Sequence, residues 1–285
     1  RMELEGEDED KGGISKVEIQ DTYGSKACVY LHGAHLTSWK TPDGAEQIFL
    51  SRKAVMEPPQ AIRGGIPICF PQFSDLGDLK SKHGFARNLR WSILNVQKES
   101  VTMGLSWSKR IEEDYGFSHP FEARVTHSVE ANSLATDMEV VNTGEKEMTF
   151  SVALHTYFRV EDISQVKFSQ LKGVNYLDNT DGRVLKTEAE PNVTIDQEVD
   201  RIYLSTPPRL KLMEMGAKQE VVISKSNFPD IVLWNPWVEK AKRLSDLADD
   251  EYREMVCAET GCIQPAVRLQ PKQKWKGSQT ITVRR

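Results

Sequence analysis

Two side chains far apart in the chain, and one basic stretch, have the types that proton transfer on a small anion requires. His155 lies in Met148–Val160 (MTFSVALHTYFRV), an alternating run. Met148, Phe150, Val152, Leu154 and Phe158 share one face, and Thr149, Ser151, Ala153, His155, Tyr157 and Arg159 share the other. An imidazole titrates near pH 6.5, so one on a polar strand face could give or take a proton near neutrality. The other reading is a satisfied, half-buried structural histidine. Glu259 follows the apolar run Val256–Ala258 and precedes Gly261 in MVCAETG, which reads as a strand end. A strand-end Glu usually sits at a rim. Partly desolvated in a cleft, its pKa would rise and suit a general base. The basic stretch is Ala61–Arg90 (AIRGGIPICFPQFSDLGDLKSKHGFARNLR). Pro67, Pro71 and Gly64-Gly65 exclude a plain interior strand over its first part. Arg63 precedes two glycines, which let backbone approach a ligand. Lys82, His83, Arg87 and Arg90 follow, and from Glu57 to Arg90 five Lys or Arg stand against three Asp or Glu. Such a cluster on irregular backbone suits a small anion, although a solvated loop with ordinary ion pairs reads the same way.

Other candidates are weaker. His32 and His35 are three apart and face opposite ways on a strand, which gives no metal pattern. His119 and His127 read as structural. Trp39, Trp234 and Trp237 could stack on a sugar ring but read as core or rim fillers. Cys28, Cys69, Cys257 and Cys262 have no zinc spacing and read as reduced thiols, which favours a reducing compartment. No G-x-x-x-x-G-K-[ST], G-x-S-x-G or dinucleotide-binding motif occurs.

Strands must carry these residues. Ser133–Val141 alternates, with Leu134, Thr136, Met138 and Val140 on one side. Thr41–Gly44, Asn142–Glu145 and Thr180–Arg183 read as turns. Strand-length runs punctuated in this way indicate an all-β fold, a large antiparallel sandwich or barrel. One helix is expected, roughly over Val238–Glu254, with its charges on a solvated face and a second short helix starting near Ser245. No repeat or linker divides the chain, so one domain is expected over 14–285. The chain has 285 residues, 39% of them hydrophobic and 28% charged, with net charge −5. The first ten residues hold six acids and one Arg, which account for that charge, and residues 1–13 read as a disordered acidic terminus. The neutral remainder does not suggest nucleic-acid binding, and no run is long enough for a membrane span.

In order, LHGAHLTSW, AIRGGIPICFPQF, KHGFARNLRW, FSVALHTYFRV, EVDRIY and NPW followed by MVCAETG resemble the glucose-6-phosphate 1-epimerases, hexose-6-phosphate mutarotases of the aldose 1-epimerase superfamily. The resemblance runs from about Ile14 to Val283, and the insert before MVCAETG is similar to that of the plant and fungal members. It implies a galactose mutarotase-like β-supersandwich with a concave sugar-binding face. It implies His155 and Glu259 as the catalytic pair, Arg63 and Arg87 as substrate-binding arginines, His83 as a lining residue and Asp200 as a partner of sugar hydroxyls. Lys82 stands where many relatives carry Gln, and an added cation there suits a phosphate.

The implied chemistry interconverts α and β anomers. Glu259 as carboxylate takes the proton from O1, and His155 as imidazolium gives one to the ring oxygen O5. The ring opens, the C1–C2 bond rotates and the ring closes on its other face. The scheme asks that a neighbouring carboxylate or the incoming phosphate raise the His155 pKa. It needs no metal or organic cofactor, and its only partner is a sugar phosphate. A cytoplasmic monomer is expected, or an organellar one after loss of a targeting segment. The alternatives are a catalytically silent sugar-phosphate sensor on the same sandwich and an epimerase of unphosphorylated aldoses.

Overall fold

The alternation of Ser133–Asn142 is kept strictly in the computed structural model, which describes residues 16–213 and 219–284: Leu134, Thr136, Met138, Val140 and Asn142 are buried in turn. The acidic stretch 1–13 lies outside the described residues. Among those described, strands account for most of the regular structure, and every ladder is antiparallel. A nine-stranded sheet runs in the order Asn192–Thr194, Lys167–Ser169, Arg209–Met213, Glu220–Ser226, Lys274–Arg284, Ser133–Asn142, Phe121–Glu130, Ser100–Ser106, Ser92–Val96. An eight-stranded sheet runs Val184–Thr187, Asn175–Asp178, Val199–Tyr203, Asp230–Asn235, Met255–Leu269, Met148–Leu154, Ile68–Cys69, with Tyr157–Arg159 also paired to Met255–Leu269. Lys16–Gln20, Lys26–Tyr30 and His35–Lys40 form a third, smaller sheet.

The eight-stranded sheet is covered on both faces, and period-2 geometry divides its residues between them. Val152, Leu154, Ile231, Leu233, Val256 and Ala258 join Leu134, Met138 and Val140 in one core between the large sheets. The intervening residues Ala153, Ile202, Val232, Trp234, Met255 and Cys257 pack on the opposite face, beneath Phe49, Cys69, Phe73 and Leu247. The polar side of Met148–Val160 is therefore the roofed face of this sheet.

Two expected elements differ. The expected Val238–Glu254 helix stops after one turn, at Trp237–Ala241. Turns follow, then a 3-10 turn at Glu251–Arg253, and no helix starts near Ser245. The acids there are spent on tertiary contacts: Glu251 is buried, and its carboxylate accepts from the Ser51 hydroxyl at 2.6 Å and the Arg52 and Ala248 N–H groups at 2.7 and 2.8 Å. A helix also forms at Lys109–Tyr115, capped by the Ser108 side chain and closed by left-handed Gly116.

Candidate active site

Glu259 is in the interior of a fifteen-residue strand, Met255–Leu269, and not at its end. Gly261, which looked like a terminator, is a packing glycine: a Cβ there would lie 2.9 Å from the Ile263 side chain and 3.2 Å from the Ala153 Cβ. His155 is not mid-strand. It follows the end of Met148–Leu154, before pairing resumes at Tyr157, and its N–H donates to the Pro67 carbonyl at 3.0 Å. Residue 154 pairs with Thr260, and Glu259 is opposite Val232, so the two side chains meet on the roofed face.

His155 Nε2 and Glu259 Oε1 are 3.3 Å apart, and both residues are buried, 7% and 1% exposed. Aromatic rings enclose the imidazole. Tyr157 stacks on it at 4.7 Å and 8°, while His83 and Trp234 meet it edge-on at 5.5 and 6.1 Å. His83 Nδ1 accepts the Ser74 N–H at 3.3 Å and lies 3.2 Å from Cys69 Sγ, so its ring proton is on Nε2.

Burial pushes the Glu259 carboxyl well above the usual carboxylate range. The Asp200 charge adds to this, and Arg87 works against it. Burial also pushes His155 well down, reinforced by His83, Arg87 and Arg63. This corrects the expectation that the His155 pKa is raised: without a bound anion, no neighbour offsets its loss of solvent and two guanidiniums. Both shifts favour the neutral forms, an uncharged imidazole and a carboxylic acid.

Both arginines therefore bear on the same space. Arg63 Nη1 donates to the Tyr157 hydroxyl at 2.9 Å, and its Nη2 is 3.1 Å from Asp246 Oδ1. Arg87 Nη2 donates to the Lys82 carbonyl at 3.0 Å. Lys82 itself is exposed. Asp200 Oδ1 accepts from Asn179 Nδ2 at 2.6 Å, and its Oδ2 is 3.5 Å from Lys240 Nζ. Among the described residues, the buried side-chain polar atoms without a hydrogen-bond partner include His155 Nδ1, Glu259 Oε2, Arg63 Nε and Arg87 Nε, which converge here from four segments.

The two glycines after Arg63 serve packing. Gly64 and Gly65 have φ of +112° and +68°, and added Cβ atoms would fall 2.5 Å from the Phe49 carbonyl and 2.3 Å from His35 Nε2. His35 and His127 are buried and bonded to backbone carbonyls, as structural histidines are. Trp39 is core; Trp234 is the tryptophan that walls the site. Reading the sequence missed Tyr157 as a stacking partner, Asp246 as an arginine partner and Cys257 as a neighbour. Tyr157 and Cys257 each had a signal, their even spacing from His155 and from Glu259; Asp246 had none. His155, Cys257 and Glu259 bring their donor atoms within 4.8 Å of one another. Burial favours the protonated forms of Cys257 and Glu259, and Arg63 and Arg87 oppose an entering cation, so the set suits proton exchange better than a divalent ion.

The antiparallel double sheet is of the galactose mutarotase-like fold, and it carries an imidazole–carboxyl pair beside two arginines. A Salmonella typhimurium protein provisionally described as a mutarotase has a solved structure that superposes with a TM-score of 0.85 at 26% identity, covering 98% of this chain and 96% of that one. The profile of the aldose 1-epimerase family matches residues 15–282, and the chain belongs to that family of enzymes. A Cenchrus ciliaris protein provisionally named glucose-6-phosphate 1-epimerase is 38% identical over 93% of this chain and 83% of its own. An Escherichia coli protein of the same provisional name is 28% identical over 90% and 87%. Among the described residues no helix is long and apolar enough to cross a membrane.

Proposed function

We propose that the protein interconverts the α and β anomers of glucose 6-phosphate, with Glu259 as the base at O1 and His155 as the acid at O5. The observation that carries this reading is the 3.3 Å contact between His155 Nε2 and Glu259 Oε1. O1 and O5 are bonded to one carbon and lie closer together than any hydrogen-bonded pair. The groups that serve them must therefore converge. The unpartnered Nδ1 and Oε2 atoms and the two arginine Nε atoms are polar capacity that a sugar phosphate would satisfy.

In this scheme the phosphate has two roles. Bound to Arg63 and Arg87, with Lys82 at the rim, it fixes the register of the sugar. Its negative charge also offsets the guanidiniums that push His155 down. The pair then moves from neutral imidazole and carboxylic acid to imidazolium and carboxylate, with no change in total protons. Glu259 takes the O1 proton while His155 protonates O5, and the roles reverse after rotation about C1–C2. Only protons are exchanged with the protein, so the scheme calls on no cofactor. Each group contributes about 10²–10⁴-fold.

The test is NMR exchange spectroscopy of anomer interconversion with glucose 6-phosphate and with glucose, for the wild type, His155→Ala and Glu259→Ala. Acceleration is expected with the phosphorylated sugar and its loss in both variants. Binding of glucose 6-phosphate by the wild type without any acceleration would falsify the proposal.

A further inference from the structure

Acid–base histidines are usually oriented by a carboxylate or carbonyl bonded to the second ring nitrogen. His155 has no such group: Nδ1 is buried and has no hydrogen-bond partner among the described residues. Its ring plane is set by other rings, and Tyr157 alone lies parallel to it, at 4.7 Å and 8°. What fixes Tyr157 then matters to the chemistry.

The Tyr157 backbone is held by its N–H to the Gly65 carbonyl at 2.9 Å and by the Phe49 N–H to its own carbonyl at 3.0 Å. Its hydroxyl is held by Arg63 Nη1 at 2.9 Å, and Arg63 in turn by Asp246 at 3.1 Å. Burial works against the Arg63 charge, but Tyr157 and Asp246 outweigh it, so the guanidinium stays cationic. Asp246 comes from the segment after Trp237, which belongs to no sheet. Leu247 and Tyr252 pack there in one cluster with Tyr157, and the buried Glu251 carboxylate ties the far end to Ser51 and Arg52. The segment thus offers a fixed carboxylate from outside the sandwich, three contacts away from the imidazole.

We propose that Tyr157 is the positioning residue for His155 and that Asp246, acting through Arg63, holds Tyr157 in place. This stacked bracket does what a hydrogen bond to Nδ1 would otherwise do. The inference rests on the reading of His155 as the ring-oxygen acid. It gives Arg63 a second task besides anion binding, and gives the segment after Trp237 a part in catalysis.

The test measures anomer exchange in the full chain with glucose 6-phosphate and with glucose. The variants are Asp246→Ala, Asp246→Asn, Tyr157→Phe, and Tyr157→Phe combined with Asp246→Ala. Asp246→Ala and Tyr157→Phe should each lower kcat about ten- to a hundredfold on both sugars, since a small misplacement of a reacting group costs that much. KM for glucose 6-phosphate shifts as far as Arg63 also holds the phosphate, but the kcat loss should be present on glucose too, which has no phosphate. Asp246→Asn keeps an acceptor oxygen and should recover most of the rate. The double variant should be no slower than the slower single one, because both changes break one chain of contacts. Asp249→Ala removes a 3.8 Å ion pair to Lys53 on the same segment and should leave kcat unchanged. The bracket is refuted by wild-type kcat in Asp246→Ala, by a loss confined to KM for the phosphorylated sugar, or by independent losses in the double variant. Should Asp246→Ala fail to fold, Tyr157→Phe decides alone: wild-type kcat in that variant refutes the bracket. A wild type inert on both sugars would instead remove the functional reading, so the two failures are distinct.

Discussion

Glu259→Gln should exchange activity for stability. The carboxyl is buried, and loss of solvent, aided by Asp200 and opposed by Arg87, raises its pKa well above the ordinary value of 4.5. The folded protein therefore keeps this proton at pH values where the unfolded chain has lost it. Stability from this group falls as pH rises from the unfolded pKa toward the folded one, and the cost is complete above the latter. Each unit of upward shift corresponds to about 1.4 kcal/mol. Glutamine matches the shape, can donate to His155 Nε2 and has no proton to lose. Relative to wild type, the variant should thus gain stability as pH increases and converge with it near the unfolded pKa. Other titrating groups largely cancel in the comparison. In a chain of this size each kcal/mol moves Tm by about 2–4 °C, so melts between about pH 5 and pH 8 resolve the trend. The same substitution should slow anomer exchange about 10²–10⁴-fold, or ~3–5 kcal/mol in the barrier. A stability gap that narrows with rising pH, or a variant that keeps wild-type exchange rates, would refute the reasoning.

Arg87→Ala should reduce kcat/KM for glucose 6-phosphate about ten- to a hundredfold, the loss of a charged hydrogen bond worth ~1.5–3 kcal/mol, with little change for glucose. Equal losses on both sugars would deny Arg87 a phosphate role. Gly84→Ala places a Cβ 2.2 Å from the Phe70 carbonyl oxygen at φ +69°, whereas Gly44→Ala, at φ +86°, meets nothing within 4 Å. The first should cost about 3 kcal/mol or more and the second about 1, and similar Tm values for the two would contradict this. Glu251→Ala strands one hydroxyl and two N–H groups and should destabilise by ~2–4 kcal/mol; an unmoved urea midpoint would show the clamp to be dispensable.

The sandwich was legible because alternation is a direct consequence of strand geometry. The same parity that sends Val152 and Leu154 into the core assigns Ser151, Ala153 and His155 to the other face. What parity does not reveal is whether that other face is wet. Glu259 looked like a rim residue because a carboxylate followed by glycine normally ends a strand, but a roof of loops from distant sequence covers it here. The stretch after Trp237 looked helical from its lack of β-branched residues and its charge pattern. Its acids instead reach Arg63, Lys53, Arg52 and Ser51, partners that no local window contains. The helix after Ser108 was legible from its cap residue and closing glycine and was nonetheless missed. Asp200 entered through family resemblance alone. Its pairing opposite Trp234, one strand from Glu259, is a property of sheet order.

Asp200, Trp234 and Glu259 come from three adjacent strands of one sheet, and His155 directly follows the end of a fourth. The strands that carry the first three are spaced about 4.8 Å apart by backbone pairing, whichever loops lie over them. Selectivity can therefore drift by exchange of the overlying loops while the ruler beneath keeps its graduations. A slip of one residue in Met255–Leu269 would do the opposite: every loop could stay intact, yet the carboxyl would turn inward among the aliphatics and the chemistry would stop.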